Sequence, residues 1–491
     1  MSGTAPCRTA GGRLAGVALA VFLLGPGLAG AANVIVSENA KAGTADWLLT
    51  APATNHEIEG YASAPGVDRG GTLALFVNTA EPSYLLEVFR LGWYQGLGGR
   101  RLLAIWKTGT VQPPPTLDAA TGLIECHWTR SHLLTMPRSL DPLVWPSGVY
   151  VVKLTAGASG LQSYIPFTLR AGIRSSEYLF QSSVTTWQAY NNWGGKSLYD
   201  YNSAGRHAVK VSFERPYAEG HGSGNLVWEW GSWELNMLRF LEREGFDVTY
   251  TTNVDVHASE ATLGRHRAFL SVGHDEYWSW DMRHNVEMAR DAGVSVAFFG
   301  ANACFWQIRF EPSPATGRRD RVIVGYKYDY KSDPFFTDGD PSNDRRVTTQ
   351  WRLPPVSLPE DAMIGVAYVY DPVDGDIVVE NTRHWVYAHT GLKAGDRLQG
   401  LLGYEVDALV GNAPPGTRRL AESPFPVDDG STANSHMSIY TTPGGALVFA
   451  TGSIFWSWGL DDLFGGVEHP LVVNAAAQQI TRNVLDRMAG R

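Results

Sequence analysis

The chain has 491 residues, of which 44% are hydrophobic and 18% are charged. This composition excludes an intrinsically disordered protein and leaves room for two or three domains with large cores. The net charge is −9 and the sequence has no long basic run, which argues against a nucleic-acid partner. The 17 tryptophans would suggest carbohydrate contact if they were exposed, but packing in β-rich cores is the simpler interpretation.

The first residues have the pattern of a signal peptide. Arg8 and Arg13 precede an apolar stretch at 14–24, and the small residues at 29–31 suit a cleavage site. The apolar stretch is short for a transmembrane helix. We therefore expect residues 1–31 to be removed, leaving a secreted or periplasmic protein without a transmembrane anchor. An uncleaved anchor is the alternative.

Residues 34–171 contain short alternating apolar runs that are separated by Gly, Pro and Asn, with no helical pattern. This spacing predicts an antiparallel β-sandwich of the immunoglobulin-like type. Its apolar and aromatic residues are explained as core, and no catalytic constellation is visible. The strand-like runs are 73–77, 84–91, 102–106, 148–154 and 163–169.

Residues 175–491 alternate strand patterns with helical patterns, which predicts an α/β domain with a mainly parallel sheet. The expected fold is three-layered, Rossmann-like or glutamine-amidotransferase-like. An insertion at about 318–435, rich in Asp, Gly and Pro, is interpreted as a β-rich elaboration that covers the functional edge of the sheet. Helices are predicted at 233–244, 280–292 and 473–488, and strands at 178–181, 246–250, 268–272, 294–299 and 446–451.

The stretch 267–306 is the most informative part of this domain. A strand, a capped helix and a second strand form a βαβ unit, so the two strands should be parallel and adjacent. Ligands of open parallel sheets bind outside the carboxyl ends of the strands. These ends carry His274 and Glu276 on one strand and Asn302 on the other, which predicts a site there.

Four loops that follow strands would open onto one crevice if those strands are parallel, and the first of them carries Tyr190 and Tyr199. The side chains offered there are mostly oxygen donors, which suit Mg, Ca, Mn or ferric iron better than zinc. Because Asp275 and Glu276 are adjacent, they should point in different directions and not form a dyad. A polar network that only holds the loop to the helix is the alternative for His274 and Glu276.

The cysteines are few. Cys7 leaves with the signal segment, so Cys126 and Cys304 remain in the mature chain. A disulfide between them is compatible with an oxidising compartment, but two separate buried thiols are the preferred interpretation, since they lie in different predicted domains. A nucleophilic pair of Cys304 with His274 is a further alternative, although no helix start or small-residue elbow exposes this thiol.

Five motifs occur in the same order as in one enzyme family. They are TTWQAYNNWGGKSLYD at 185–200, SVGHDEYWS at 271–279, GANACFW at 300–306, LLGYEVD at 401–407 and FATGSIFWSWGLDD at 449–462. Through these motifs, residues 175–488 resemble the large-subunit catalytic domain of N,N-dimethylformamidase. The resemblance implies an amidohydrolase-like α/β domain that holds one iron, expected to be ferric. The implied metal ligands are Tyr190, Tyr199 and Glu276.

The resemblance also implies a set of catalytic residues: His274, Asn302 and Glu405. Two phenolates and a carboxylate neutralise a ferric ion, which acts as a Lewis acid or activates water. In this scheme Glu405 accepts the proton of the water, and His274 and Asn302 orient the substrate or stabilise the oxyanion. The chain departs from the family pattern in carrying a sandwich in place of a lectin-like region, and in Asp275 within the His-x-Glu motif.

These patterns predict a secreted, metal-dependent hydrolase that acts on the amide or related C–N bond of a small molecule. A homo-oligomer is compatible with the sequence. One alternative is a non-enzymatic surface or carbohydrate-binding protein that keeps the fold without metal. Another is a glycosidase, which would need carboxylates such as Glu276 and Glu405 about 5–9 Å apart across a sugar-sized cleft.

Overall fold

The computed structural model describes residues 1, 33–139, 141–218, 233–467 and 469–491. The predicted signal peptide and Cys7 therefore lie outside the described residues, apart from Met1. Strands account for 35% of the described part and helices for 22%. Among these residues, no helix combines the length and the apolar character that a membrane span requires.

The secondary structure of the described part is numbered in chain order. The strands are β1 Ile58–Ala62, β2 Gly66–Asp68, β3 Thr72–Thr79, β4 Ser83–Leu91, β5 Gly99–Thr108, β6 Thr116–Asp118, β7 Leu123–Glu125, β8 His132–Thr135, β9 Gly148–Ala156, β10 Gln162–Arg170, β11 Tyr178–Ser182, β12 Lys210–Ser212, β13 Val248–Thr252, β14 Ala268–Gly273, β15 Tyr277–Ser279, β16 Ser295–Gly300, β17 Trp306–Glu311, β18 Val322–Val324, β19 Ala367–Val378, β20 Arg397–Ala408, β21 Arg418–Pro426, β22 Thr432–Thr441 and β23 Leu447–Ala450. The α-helices are α1 Val34–Asn39, α2 Val184–Tyr190, α3 Trp233–Glu244, α4 Asn253–Ala258, α5 Trp280–Asp291, α6 Pro334–Thr337, α7 Asp361–Ile364 and α8 Ala475–Ala489.

Two large sheets form the amino-terminal part, one with the strand order β1-β3-β8 and one with the order β2-β10-β9-β4-β5, and the antiparallel pair β6-β7 adds to them. Apolar side chains of both sheets, such as Leu75, Val77, Val88 and Val152, share one buried cluster, so the sheets pack face to face. The expectation of a purely antiparallel sandwich is corrected by β2 and β10, which pair in parallel. The immunoglobulin-like topology is not confirmed.

The carboxy-terminal part contains a seven-stranded mixed sheet with the order β13-β11-β14-β16-β23-β22-β21. Its first five strands are parallel, whereas β22 and β21 are antiparallel. A four-stranded mixed sheet, β12-β18-β17-β15, and the antiparallel pair β19-β20 complete this part.

The predicted Rossmann-like or glutamine-amidotransferase-like domain with a mainly parallel sheet is wrong. The chain is sheet-rich, and its sheets are mixed or antiparallel. The error arises because apolar runs locate strands but carry no information about pairing direction. Strand β21 of the predicted insertion and β22, which begins at the end of the insertion, extend the main sheet, and two more strands of the insertion form the β19-β20 hairpin.

The βαβ unit, in contrast, has the predicted connectivity. Strands β14 and β16 are parallel neighbours, with Ala268 opposite Ser295. Ser279 caps α5, since its hydroxyl accepts a hydrogen bond from the Met282 amide at 3.2 Å. Helix α3 occupies the predicted range. Helix α2 is a difference, because the sequence analysis treated this segment as loop.

Tryptophan packing follows the simpler of the two interpretations. Trp47, Trp278, Trp351 and Trp456 are fully buried, while Trp106 is 64% exposed.

Cys126 and Cys304 are both free and buried, which confirms two separate thiols. The predicted boundary at 171–175 and the limits of the insertion stay predictions. A single apolar cluster nevertheless draws side chains from both predicted domains, including β4, β9, β11 and α3.

Candidate active site

A cavity of about 630 Å³ lies where three of the parallel strands end. Tyr190 reaches it from the last turn of α2, which follows β11. Glu276 follows β14, and Asn302 follows β16. Glu405 lines the cavity from β20, in the region predicted as an insertion. Loops that are far apart in sequence therefore converge on one cavity, as the parallel order requires.

The loop after β23 has a supporting role instead of lining this cavity. Ser453 donates a hydrogen bond to the Leu401 carbonyl at 2.6 Å and accepts one from the Gly403 amide at 3.0 Å. Both partners belong to β20, the strand that carries Glu405. The expectation that all four loops line one crevice is thus met by three of them among the described residues.

Three phenol groups and one carboxylate form an oxygen cluster, of which Tyr190, Tyr199 and Glu276 line the cavity. The Tyr190 hydroxyl donates to Glu276 Oε2 at 2.9 Å. The Tyr199 hydroxyl lies 2.8 Å from that of Tyr190 and 3.1 Å from Glu276 Oε2. The Tyr277 hydroxyl donates to that of Tyr199 at 2.5 Å. The rings of Tyr190 and Tyr199 stack with centroids 4.3 Å apart, which fixes the two hydroxyls side by side.

The electrostatics of this cluster favour neutral phenols in the absence of a cation. Burial, and then the charge of Glu276, raise the pKa of Tyr190 and of Tyr199 well above the ordinary value. Each phenol has an acceptor within the cluster, so the group is also complete as a hydrogen-bonded network. Loss of the phenolic protons would therefore require a strong positive charge at this point.

The spacing of the oxygens fits a bound metal ion. A metal with octahedral oxygen ligands at about 2.0–2.1 Å puts neighbouring ligand oxygens about 2.9 Å apart. The oxygens of Tyr190, Tyr199 and Glu276 are 2.8, 2.9 and 3.1 Å apart, so they match one face of such a polyhedron. No group of three His, Cys, Asp and Glu residues in the described ranges has metal-binding geometry. A metal centre here would depend on its tyrosines.

His274 lies between two carboxylates. Its Nε2 is 3.3 Å from Glu276 Oε2 and 3.1 Å from Glu405 Oε2, and all three side chains are buried. Burial opposes a charge on His274, but Glu405 and Glu276 outweigh it and raise the pKa of the imidazole well above the usual value. The two carboxylates therefore favour the protonated imidazolium, which lies between two acids that would otherwise repel each other.

The two acids titrate differently. Burial alone would raise the pKa of Glu276, but His274 and Lys327 bring it below the usual value. Burial raises the pKa of Glu405 above the usual range, although His274 opposes this. Glu276 is thus the ionised partner, and Glu405 is the carboxylate that takes up a proton more readily.

Asn302 is held by Asp407. The backbone of Asn302 has a φ of 52°, a left-handed conformation that non-glycine residues seldom adopt. The backbone N–H of Asn302 donates to Asp407 Oδ1 at 2.8 Å, and this contact helps to maintain the conformation. Burial raises the pKa of Asp407 to about 7.

The raised pKa of Asp407 predicts a pH-dependent cost in stability. Ionising this carboxyl is easier in the unfolded chain, where its pKa is near 3.8, so the folded state is penalised increasingly between about pH 4 and pH 7. Asp407→Asn keeps an acceptor for the Asn302 amide and removes the charge. The free energy of unfolding of Asp407→Asn minus that of the wild type should be larger at pH 8 than at pH 5, by on the order of 3 kcal/mol. Urea unfolding at both pH values measures this, and parallel pH profiles for the two proteins would contradict it.

Asp275 points away from Glu276, as the sequence analysis expected of adjacent residues. Its carboxylate accepts hydrogen bonds from Gln181 Nε2 at 2.7 Å, Asn253 Nδ2 at 2.9 Å and Ser271 Oγ at 2.8 Å. These donors come from or directly follow three neighbouring strands of the main sheet. Asp275 therefore anchors the loop that presents His274 and Glu276.

Tyr277 and Lys327 are the site residues that the sequence analysis missed. Tyr277 is next to Glu276 in the quoted motif, and this proximity was the only available signal. The ammonium of Lys327 lies 3.2 Å from the centroid of the Tyr199 ring, and burial lowers the pKa of this lysine to about 8. No sequence pattern marks Lys327, because it comes from the region read as an irregular insertion.

The other chemical alternatives fit the geometry less well. Cys304 is fully buried in a cluster with Trp278 and Trp351, and this burial raises the pKa of its thiol, so a Cys304–His274 nucleophile is not formed. Glu276 and Glu405 both contact one nitrogen of His274. An imidazole, and not a sugar, therefore occupies the space between the carboxylates that a glycosidase would need.

Comparison with known proteins agrees with the motifs. A sequence model of the family described as "N,N-dimethylformamidase beta subunit-like, C-terminal" matches residues 85–470. The N,N-dimethylformamidase beta subunit of an Alcaligenes species is 22% identical over 418 residues, which cover 68% of this chain and 52% of the relative. The chain thus spans about half the length of the curated relative it matches. The family match begins in β4 and not at residue 175, so it includes much of the amino-terminal sheets. Since it covers most of the sequence, this chain belongs to the N,N-dimethylformamidase beta subunit-like, C-terminal family.

Proposed function

We propose that this protein is an exported hydrolase that cleaves the amide or a related C–N bond of a small molecule at a mononuclear iron site. The proposed ligands are Tyr190, Tyr199 and Glu276. The observation that carries the proposal is the triangle of three oxygens, 2.8 to 3.1 Å apart, in a cavity at the strand ends. The name of the matched relative supports the amide class, and the pattern of residues 1–31 supports export.

The charges of the site are consistent with a ferric ion. Two phenolates and one carboxylate supply three negative charges, so the buried centre would be neutral once the two phenolic protons have left. Iron bound there would supply Lewis-acid polarisation of the amide carbonyl. The cationic His274 and Lys327 lie beside the cluster and limit the excess of negative charge around it.

Glu405, His274 and Asn302, which surround the oxygen cluster, have different roles in the proposed reaction. Glu405, whose pKa is raised, accepts the proton of the attacking water and returns it to the departing amine. His274 stays protonated between the two carboxylates and can donate to a developing oxyanion. Asn302 lines the cavity, and its buried Oδ1 has no hydrogen-bond partner among the described residues, so it can orient a ligand.

Two neighbouring tyrosines offer a matched test of the metal site. Tyr199 belongs to the oxygen cluster, whereas Tyr201 is 70% exposed. Wild-type protein from iron-replete cells should contain iron and show the visible absorption of an iron–phenolate bond. Tyr199→Phe should lose iron and weaken or shift this band, while Tyr201→Phe should keep the wild-type spectrum. Metal analysis and visible spectroscopy of the three purified proteins give the result.

The same measurement separates the proposal from its alternative. A folded wild type that is colourless and free of metal would refute the iron site. If such a protein also bound a carbohydrate, the non-enzymatic reading would replace the hydrolase. A Tyr199→Phe spectrum that matches the wild type would remove Tyr199 from the ligand set and leave the remaining assignments to be judged by Glu276→Ala.

A further inference from the structure

We propose that the cavity binds a secondary amide whose nitrogen carries a flat aromatic group that is uncharged or cationic. This inference rests on the proposed function, because it names the substrate class of the same site. It differs from the substrate in the relative's name, N,N-dimethylformamide, in three properties: size, aromatic character and the presence of an N–H.

The size of the cavity exceeds what a dialkylformamide fills. Dimethylformamide has five non-hydrogen atoms, which occupy roughly 150 Å³ at about 30 Å³ for each water-sized group. The cavity measures about 630 Å³, a value within the range of pockets that enclose much larger ligands. A small dialkylformamide would leave most of it filled with water.

The lining is aromatic from the oxygen cluster outwards. Eight of the 17 described lining residues are Phe, Trp or Tyr. Phe305 and Trp306 are buried in the wall. Tyr201 and Tyr328 also line the cavity but are 70% and 73% exposed, so the cavity reaches the surface beside them. A channel lined in this way favours a flat apolar group, because aromatic faces bind such groups by stacking or edge contact.

The exposed rings of Tyr328 and Tyr201 pack against the less exposed rings of the cavity wall. Tyr328 meets Trp306 edge-on, with centroids 4.9 Å apart and an interplanar angle of 88°. Tyr201 lies against Tyr199 at 5.5 Å. Because these contacts hold the rings near their binding positions, little conformational entropy is lost when a ligand enters.

Three aspartates line the cavity, whereas Lys327, the one lysine among its described lining residues, is buried against the Tyr199 ring. Asp200 and Asp329 form ion pairs with His207, and Asp329 also pairs with Arg206. Asp371 accepts a hydrogen bond from Tyr368 at 2.8 Å and has no cationic partner among the described residues. A carboxylate on the ligand would meet this negative charge, whereas a neutral or cationic group would not.

Asn302 favours an amide with an N–H. Asn302 lines the cavity, and its buried Oδ1 lacks a hydrogen-bond partner among the described residues. A secondary amide supplies a donor for this oxygen, and a tertiary amide such as dimethylformamide does not. Leaving a buried acceptor unsatisfied in the complex costs binding energy.

Formanilide is the simplest probe with all three properties. Its hydrolysis breaks the C–N bond, adds the water oxygen to the formyl carbon and transfers a proton to nitrogen, giving formic acid and aniline. For the purified iron-loaded protein, kcat/KM for formanilide should exceed that for N,N-dimethylformamide by at least about tenfold. N-Methylformanilide tests the N–H, and 4-carboxyformanilide tests the acidic rim. Both should be poorer substrates than formanilide.

Substitutions of Tyr328, at the rim of the cavity, test whether its ring causes the preference for formanilide. Tyr328→Ala should reduce the preference for formanilide over dimethylformamide by about tenfold, because one face of the aromatic wall is lost. Tyr328→Phe keeps the ring and should keep the preference. Trp106→Ala removes a similarly exposed aromatic side chain on β5 that does not line the cavity, and it should not change the turnover of either substrate.

The outcomes distinguish this inference from the proposed function. Turnover of dimethylformamide equal to or faster than that of formanilide would overturn the inference and leave the hydrolase intact. If neither amide is hydrolysed, the proposed function fails, and calorimetric titration with formanilide decides the inference. Binding that is weakened by Tyr328→Ala would support an aromatic-ligand cavity, and absence of binding to the wild type would overturn it.

Discussion

Glu405→Gln should lower kcat for amide hydrolysis by about 10³-fold while the protein keeps its iron and its visible spectrum. The size follows from the typical contribution of a positioned acid or base, roughly 10²–10⁴-fold. Glu405 is the carboxylate of the site that takes up a proton more readily, since burial raises its pKa. It pairs with His274 and takes part in none of the hydrogen bonds described for the Tyr190 and Tyr199 hydroxyls, so its substitution should spare the proposed ligands.

Two further variants show whether the loss of activity in Glu405→Gln comes from proton transfer or from loss of iron. Glu276→Ala removes the acceptor of both tyrosine hydroxyls and should abolish the iron, the colour and the activity together. Glu422→Gln changes a partly exposed glutamate on β21 and should behave like the wild type. Steady-state kinetics and metal analysis of the three variants separate the roles. A kcat within tenfold of the wild type in iron-loaded Glu405→Gln would exclude this residue from proton transfer.

The part of the site that lies on the βαβ unit was accessible from sequence. The periodicity of 267–306 predicts strand, helix and strand, and right-handed crossovers then fix the two strand ends side by side. The positions of His274 and Asn302 follow from this local chain geometry. The divergence of Asp275 and Glu276 also follows, because neighbouring side chains of an extended segment point to opposite sides.

The remaining geometry depends on contacts between distant parts of the chain. Glu405 reaches the site on β20, a strand whose pairing with β19 includes several irregularities. Only the resemblance to the family placed it beside His274. The direction of β21 and β22 likewise depends on which neighbours bury their apolar faces. No single-sequence pattern reports that choice, and this explains why the predicted parallel sheet was wrong.

Helix α2 also depends on tertiary contacts that a local sequence pattern does not reveal. Its sequence VTTWQAY contains three β-branched residues, which are weak helix formers, and it lacks an amphipathic repeat. Six of its seven residues are buried, so tertiary packing stabilises the helix. That packing turns Tyr190 toward Glu276. The tyrosine was identified by its motif, but the element that positions it was not.

Glu242→Ala should lower the free energy of unfolding by about 3–5 kcal/mol, the cost of leaving a buried charge without its partner. Arg90 on β4 donates to Glu242 on α3 at 2.6 and 2.9 Å, and both side chains are fully buried. Asn39 and Tyr250 also donate to Glu242, each at 2.8 Å. The variant leaves the guanidinium of Arg90 and these two donors without their acceptor.

A control and a double variant show whether the charge is responsible. Glu380→Ala breaks a partly exposed bidentate pair with Arg419 and should cost no more than about 1 kcal/mol. In the double variant Arg90→Met, Glu242→Met, neither charge of this pair remains, and the loss of stability should be smaller than in Glu242→Ala alone. Urea unfolding, followed by tryptophan fluorescence, measures all three. Arg90 and Glu242 join β4 of the amino-terminal sheets to α3, so Glu242→Ala should lower the midpoint of unfolding. A midpoint near that of the wild type would show that the shared apolar core, and not this ion pair, holds β4 against α3.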